Sequence, residues 1–188
     1  GQLFHNNIDH LLNKALDFLG EDEDVPPLSA FGSVRRAARF GDARDKMMDE
    51  LRIVMHGKRT TVYGTFTSHV RPAAHFVRVY GTRNTAHVDY VMRTVTLDAA
   101  PTLPSAIGRL VPAFSQAARF AKAGGKNVLR FAKSDFHFFS GLSHLFRGFY
   151  RSILDDEPPP IPHRDILRIS GMLDEIFSQL DVQRGQLS

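Results

Sequence analysis

The chain has 188 residues, 24 lysines and arginines against 20 acidic residues for a formal charge of +4, and no cysteine. That length suits one domain burying roughly 70% of its unfolded surface, and the missing cysteine excludes disulfides, thiolate zinc sites and thiol catalysis, in keeping with a reducing cytoplasm. The arginines are scattered rather than gathered into one block, which argues against a nucleic-acid partner, and no apolar run approaches the roughly 18 residues of a membrane span, which argues against a membrane.

The opening segment GQLFHNNIDH lacks the basic start and apolar stretch of a signal peptide. It starts on Gly1 rather than Met, so an upstream piece is expected. Ile8, Leu11, Leu12, Ala15, Leu16 and Leu19 then recur at helical spacing. Asn6 or Asn7 suits the N-cap of that helix and Gly20 its end. The acidic stretch Glu21 to Asp24 and Pro26-Pro27 predict a loop, residues 28–32 a short strand, and the Arg-rich residues 33–48 an irregular segment with a short helix.

From Asp49 to Asp98 the chain is rich in Val, Thr, Phe and Tyr. Residues 51–56 and 60–70, joined by Gly57-Lys58-Arg59, predict a hairpin. Residues 75–82 and 84–97 predict two more strands, turned near Gly81 to Asn84. Short turns between successive strands imply an antiparallel meander. With no β-α-β alternation, there is no parallel dinucleotide-binding sheet here.

Residues 105–122 predict a helix, broken by Gly124-Gly125. A second helix over 141–154 aligns Leu142, Leu145, Phe146, Phe149 and Ile153. The stretch DDEPPPIP at 155–162 predicts a stiff linker. A last helix over 163–180 turns Ile166, Ile169, Met172, Leu173, Ile176 and Phe177 inward. The expected fold class is α+β: one domain with an open, mainly antiparallel sheet and helices packed on one face.

Chemistry-bearing motifs are sparse. No Gly-x-Gly-x-x-Gly follows a strand, no Gly-x-Ser-x-Gly elbow or His-Glu-x-x-His helix appears, and the spacing in Ala123-Gly-Gly-Lys126 is not that of a phosphate loop. Nine histidines stand singly, without metal-ligand spacing, and His56, His69, His75 and His87 read as partly exposed sheet residues. The informative segment is the first. Two histidines and two carboxamides crowd the start of a helix, and Asn6 and His10 share one helical face. A histidine there can exchange a proton with a hydroxyl near neutral pH. Against that stands the simpler reading, in which Asn6 caps the helix and His10 only packs. On the strand at 60–70, Thr61, Tyr63, Thr65, Thr67 and His69 share one face, and Val62, Phe66 and Val70 the other, which should take the helices. Arg78 and Tyr80 share a face of the next strand.

Three stretches, in order, resemble one family. Gly1-Gln-Leu-Phe-His-Asn6-Asn-Ile-Asp-His10-Leu-Leu is similar to the "G-G-x-L-x-D-x-x-x-H-x-L-D" stretch of the glucose–fructose oxidoreductase and inositol dehydrogenase (Gfo/Idh/MocA) family. Residues 77–89, VRVYGTRNTAHVD, resemble its strand–turn–strand, and residues 153–179 its proline-rich C-terminal end. The resemblance implies the substrate-side domain of a two-domain oxidoreductase whose N-terminal Rossmann domain, absent here, binds NAD or NADP.

It implies proton transfer by His10 at the carbon being oxidised, beside a lysine that the other domain supplies. Asn6 stands where the family has aspartate; an amide can hold a sugar hydroxyl but cannot accept its proton. His5, Asn7, Arg78 and Tyr80 are the candidate substrate contacts. The implied partners are that Rossmann domain, a sugar, cyclitol or nucleotide-sugar, and further copies of the chain through the open sheet. The competing expectation is a non-catalytic binding or dimerisation module of the same fold, favoured by Asn6.

Overall fold

The structure is a computed structural model and describes residues 7–20, 25–34, 48–99, 105–134 and 140–187. Close contacts group the chain into two compact units, one of Gly1–Val70 with Asp155–Ser188 and one of Arg71–Leu154. Each is a layer of antiparallel strands with helices, so the fold class is α+β as expected.

The first unit begins with α1 (Ile8–Leu19). Asn7 sits at its N-cap but makes no side-chain capping bond, and Gly20 ends the helix at φ 78°. That left-handed φ costs glycine little. Strands β1 (Leu28–Ser33), β2 (Glu50–His56) and β3 (Thr61–Thr67) form a sheet in the order β1-β2-β3. Leu28 pairs with Met55, and Glu50 with Thr67. The strand alternation puts Leu51, Ile53 and Met55 on one face, where they are buried. Val62 and Phe66 pack against the same core, while Tyr63 is exposed on the other face.

Two helices cover that apolar face. From α1 come Ile8, Leu12, Ala15 and Leu19. From α4 (His163–Leu187) come Met172, Ile176 and Leu180, all fully buried. Ile169, Leu173 and Phe177 are partly buried as expected, but Ile166 is exposed because it lies one turn short of the packed stretch. The close approach needs glycines in the strands. A Cβ at Gly64 would lie 2.8 Å from Leu11 Cδ2, and one at Gly32 2.8 Å from Leu180 Cδ2.

Helix α4 also closes the sheet's edge. Two glutamines one turn apart lie along the outer side of β1. Ala30 N–H donates to Gln179 Oε1 (2.7 Å), and Gln179 Nε2 donates to Leu28 O (3.0 Å). Gly32 N–H donates to Gln183 Oε1 (3.1 Å), and Gln183 Nε2 donates to Ala30 O (2.7 Å). The carboxamides thus stand in for a fourth strand, and this anchoring carries α4 beyond the expected end at 180.

The second unit holds β4 (Phe76–Tyr80), β5 (Asn84–Asp89) and β6 (Thr94–Ala99), paired in that order. Three expectations are corrected here. The strand expected over 84–97 is two strands, because the Asp89 carboxylate accepts hydrogen bonds from Val91 N–H (2.9 Å) and Met92 N–H (2.8 Å) and fixes a turn that Arg93 completes at φ 51°. The expected single meander is two three-stranded sheets, because no pairing links β3 to β4. Helix α2 (Ser105–Ala132) runs straight through Gly124-Gly125. Two glycines cost about 2 kcal/mol of helix propensity, and Asn127 just beyond them is anchored by its Nδ2 to Met92 O (2.8 Å). Helix α2 packs on β6, where Thr94 and Thr96 are buried and Asp98 accepts from Arg119 (3.0 Å) and Gln116 (3.1 Å). Helix α3 (Ser140–Leu154) completes the unit.

The irregular segment expected at 33–48 lies mostly outside the described residues, as do His5 and Asn6.

Candidate functional site

The apolar stripe of α1 fixes where its polar residues go. With Ile8, Leu12, Ala15 and Leu19 inward, the helical repeat puts His10 on the opposite side, where it is exposed. Asn7 is exposed as well. Lys14, one turn after His10, reaches back with Nζ to donate to the His10 carbonyl (3.4 Å). Burial pulls the Lys14 ammonium below its ordinary value, and the carboxylates of Asp17 and Asp9 partly offset this. The imidazole of His10 therefore stands at the surface beside a cation that is itself partly desolvated. It can reach a ligand from outside the unit.

Arg78 and Tyr80 lie on β4, in the other compact unit, so the six residues singled out in the sequence do not share one unit. The register puts Arg78 opposite His87 and Tyr80 opposite Thr85 on one face. Arg78 stands over the Phe76 ring (5.7 Å), which meets His87 edge-on (5.6 Å). Tyr80 is 75% exposed, so its ring is available to a ligand rather than part of a core. The reverse face of this sheet is aliphatic. Its rungs are Val77–Val88–Val95 and Val79–Ala86–Leu97, with Val95 and Leu97 exposed.

Sequence reasoning missed a polar cluster at the far end of β2 and β3. The Asp49 side chain, 1% exposed, pairs with His69 Nε2. Its backbone N–H donates to Ser33 O (3.1 Å) and its carbonyl accepts from Ser68 N–H (3.2 Å). Ser68 Oγ lies 3.3 Å from the same His69 nitrogen. A serine nucleophile needs its carboxylate on the opposite ring nitrogen, so Asp49, Ser68 and His69 are not a catalytic triad. They tie the two strand ends together. The only sequence signal was the hairpin register, which sets residue 49 near residue 68 once the turn at Gly57 to Arg59 is placed.

Among the described residues no three or more His, Asp and Glu side chains are grouped to hold a metal, and no helix is long and apolar enough to cross a membrane. Neither sheet has a parallel strand–helix–strand crossover with a glycine-rich turn, so these residues do not form a dinucleotide cradle.

Two solved structures share the architecture. The WlbA dehydrogenase from Bordetella pertussis, in complex with NADH and UDP-GlcNAcA, matches with a TM-score of 0.63 at 15% identity, over 95% of this chain and 45% of that one. YPO2259 from Yersinia pestis, a protein assigned as an oxidoreductase, matches with a TM-score of 0.56 at 14% identity, over 97% of this chain and 48% of that one. The likeness is one of fold. The chain spans less than half the length of either protein. No family model matches it, and no curated protein does.

Proposed function

We propose that the chain is the substrate-side part of a two-domain NAD(P)-dependent oxidoreductase acting on a secondary alcohol of a sugar, cyclitol or nucleotide-sugar. One observation carries the reading: nearly the whole chain has the fold of part of a dehydrogenase that binds NADH and a nucleotide-sugar. The Gfo/Idh/MocA-like stretches point the same way. The nicotinamide cofactor, supplying hydride transfer, would be held by a Rossmann domain, since the described residues do not fit it.

In this reading α1 contributes its exposed polar side. His10 exchanges the hydroxyl proton while Asn6 and Asn7 hold hydroxyls by their amides. On the second unit, taken by itself, Arg78 and Tyr80 present an exposed cation and phenol, groups that suit a phosphate-bearing or polyol ligand. The aliphatic face of the second sheet supports self-association, because Val95 and Leu97 otherwise stand in water.

The test compares the full-length protein with its His10→Ala variant across a panel of sugars and nucleotide-sugars. Loss of roughly 100-fold or more in kcat, the usual worth of a general acid–base group, is expected. Unchanged turnover would make His10 structural and favour a second reading. That reading, a non-catalytic module of the same fold, rests on Asn6 standing where the family has a carboxylate. The 188 residues alone should neither bind NADH nor turn over substrate.

A further inference from the structure

The charge of this chain is not evenly spread. Residues 105–154 contain eight lysines and arginines and one acidic residue, Asp135, a net +7. The rest of the chain, with 16 basic and 19 acidic residues, carries −3. The basic excess therefore belongs to α2, α3 and the residues joining them.

The same helices leave their apolar side chains in water. On α3, Leu142, Phe146, Phe149 and Ile153 form one stripe, and Phe146, Phe149 and Ile153 are 55%, 51% and 62% exposed. Helical geometry puts Arg147 and Arg151 on the opposite side, and no acidic residue interrupts the helix. Among the described residues no element makes an extended contact with α3. On α2, Gln116, Arg119 and Asn127 are turned to the sheet, while Phe114 on the far side and Leu110 and Val128 beside it are 72%, 64% and 69% exposed. A soluble helix buries its apolar stripe and shows its polar side. Here α2 spends polar residues on the sheet and presents apolar ones outward.

We propose that α2 and α3 form a docking surface for an anionic lipid bilayer. A helix with aromatic and aliphatic residues on one side and arginines on the other lies in the headgroup plane, with its apolar stripe in the acyl boundary and its basic residues at the phosphates. Other occupants leave one half unexplained. A nucleic acid would satisfy the basic side and leave the phenylalanines in water. A protein partner on the apolar stripe would make no use of the charge. The lack of a long apolar run excludes only a spanning helix, and an interfacial one needs no such run. The surface is independent of the proposed oxidoreductase role and would bring that chemistry to a membrane face.

The test is vesicle flotation of the full chain with two compositions: phosphatidylcholine alone, and phosphatidylcholine with about 30% phosphatidylglycerol. Binding is expected on the anionic vesicles only, with release at about 0.5 M salt, where screening is nearly complete within roughly 4 Å. Replacing Arg147 and Arg151 by Gln should weaken binding about 25-fold, roughly fivefold per arginine. Phe149→Ser should weaken it about tenfold or more through lost burial. The chain has no tryptophan, so Phe149→Trp supplies a lone reporter whose emission should shift to the blue on anionic vesicles, even if a polar substitution harms folding.

Equal behaviour toward both compositions would overturn the proposal. So would binding that Phe149→Ser leaves intact and that does not move the indole emission of the Phe149→Trp variant, the pattern of a purely electrostatic polyanion site. A vesicle-inert chain that sediments as a dimer and is dissociated by Phe149→Ser would instead assign the stripe to a second copy.

Discussion

The edge of β1 offers the sharpest test of the fold. Gln179→Ala removes two hydrogen bonds from the strand backbone, the one from Ala30 N–H and the one to Leu28 O. At about 0.5–1.5 kcal/mol net for each bond, the expected loss is about 1–3 kcal/mol. Gln179→Glu should cost at least as much as alanine, since its carboxylate cannot donate to Leu28 and would stand against the Glu175 carboxylate, to which the Gln179 amide donates (2.7 Å). Adding Gln183→Ala strips the other two contacts and should roughly double the loss. It also bares an edge strand that can pair with another chain. Urea denaturation measures the free energies, and light scattering after a heat step follows association. In a thermal scan each kcal/mol is worth about 2–4 °C at this size. If the double variant unfolds within about 0.5 kcal/mol of wild type, as an ordinary surface substitution would, the carboxamides do not hold the edge.

Two other outcomes follow from the same unit. Met172→Ala empties part of a fully buried site between α4 and the sheet and should cost about 2–5 kcal/mol in urea melts. The pH dependence around Lys14 has a definite sign. Its folded value is lowered by burial, so between that value and the ordinary 10.5 the unfolded chain binds more protons and stability rises with pH. Lys14→Met should flatten this rise when melts are compared across that window, and should add stability below it.

Much of the local structure was legible because one periodicity dominates each segment. In α1 the spacing of Ile8, Leu12, Ala15 and Leu19 and the following Gly20 give both the helix and its buried side. The hairpin of β2 and β3 follows from Val/Thr alternation around Gly57 to Arg59. Legibility failed where a side chain acts on a distant or neighbouring backbone. Tyr90, Val91 and Met92 look like strand, but the Asp89 carboxylate turns them. The glycine pair in α2 looks like a stop, but packing on β6 and the Asn127 bond carry the helix on. Of the six site residues, His10, Asn7, Arg78 and Tyr80 are exposed and available to a ligand, while His5 and Asn6 lie outside the described residues. The pairing of Asp49 with His69 spans 20 positions and emerges only with the strand register.

The first unit has a consequence for how the chain is made. Its sheet is complete by Thr67, yet the residues of α4 that cover it, Met172, Ile176 and Leu180, come about 100 positions later. On a ribosome adding roughly 5–20 residues per second, Leu51, Ile53 and Met55 wait some five to twenty seconds under α1 alone, while the whole second unit emerges. During that interval β1 also lacks Gln179 and Gln183 along its edge. The nascent chain is thus exposed to misassociation from the completion of β3 onward, and the arrival of α4 is the event that ends that exposure.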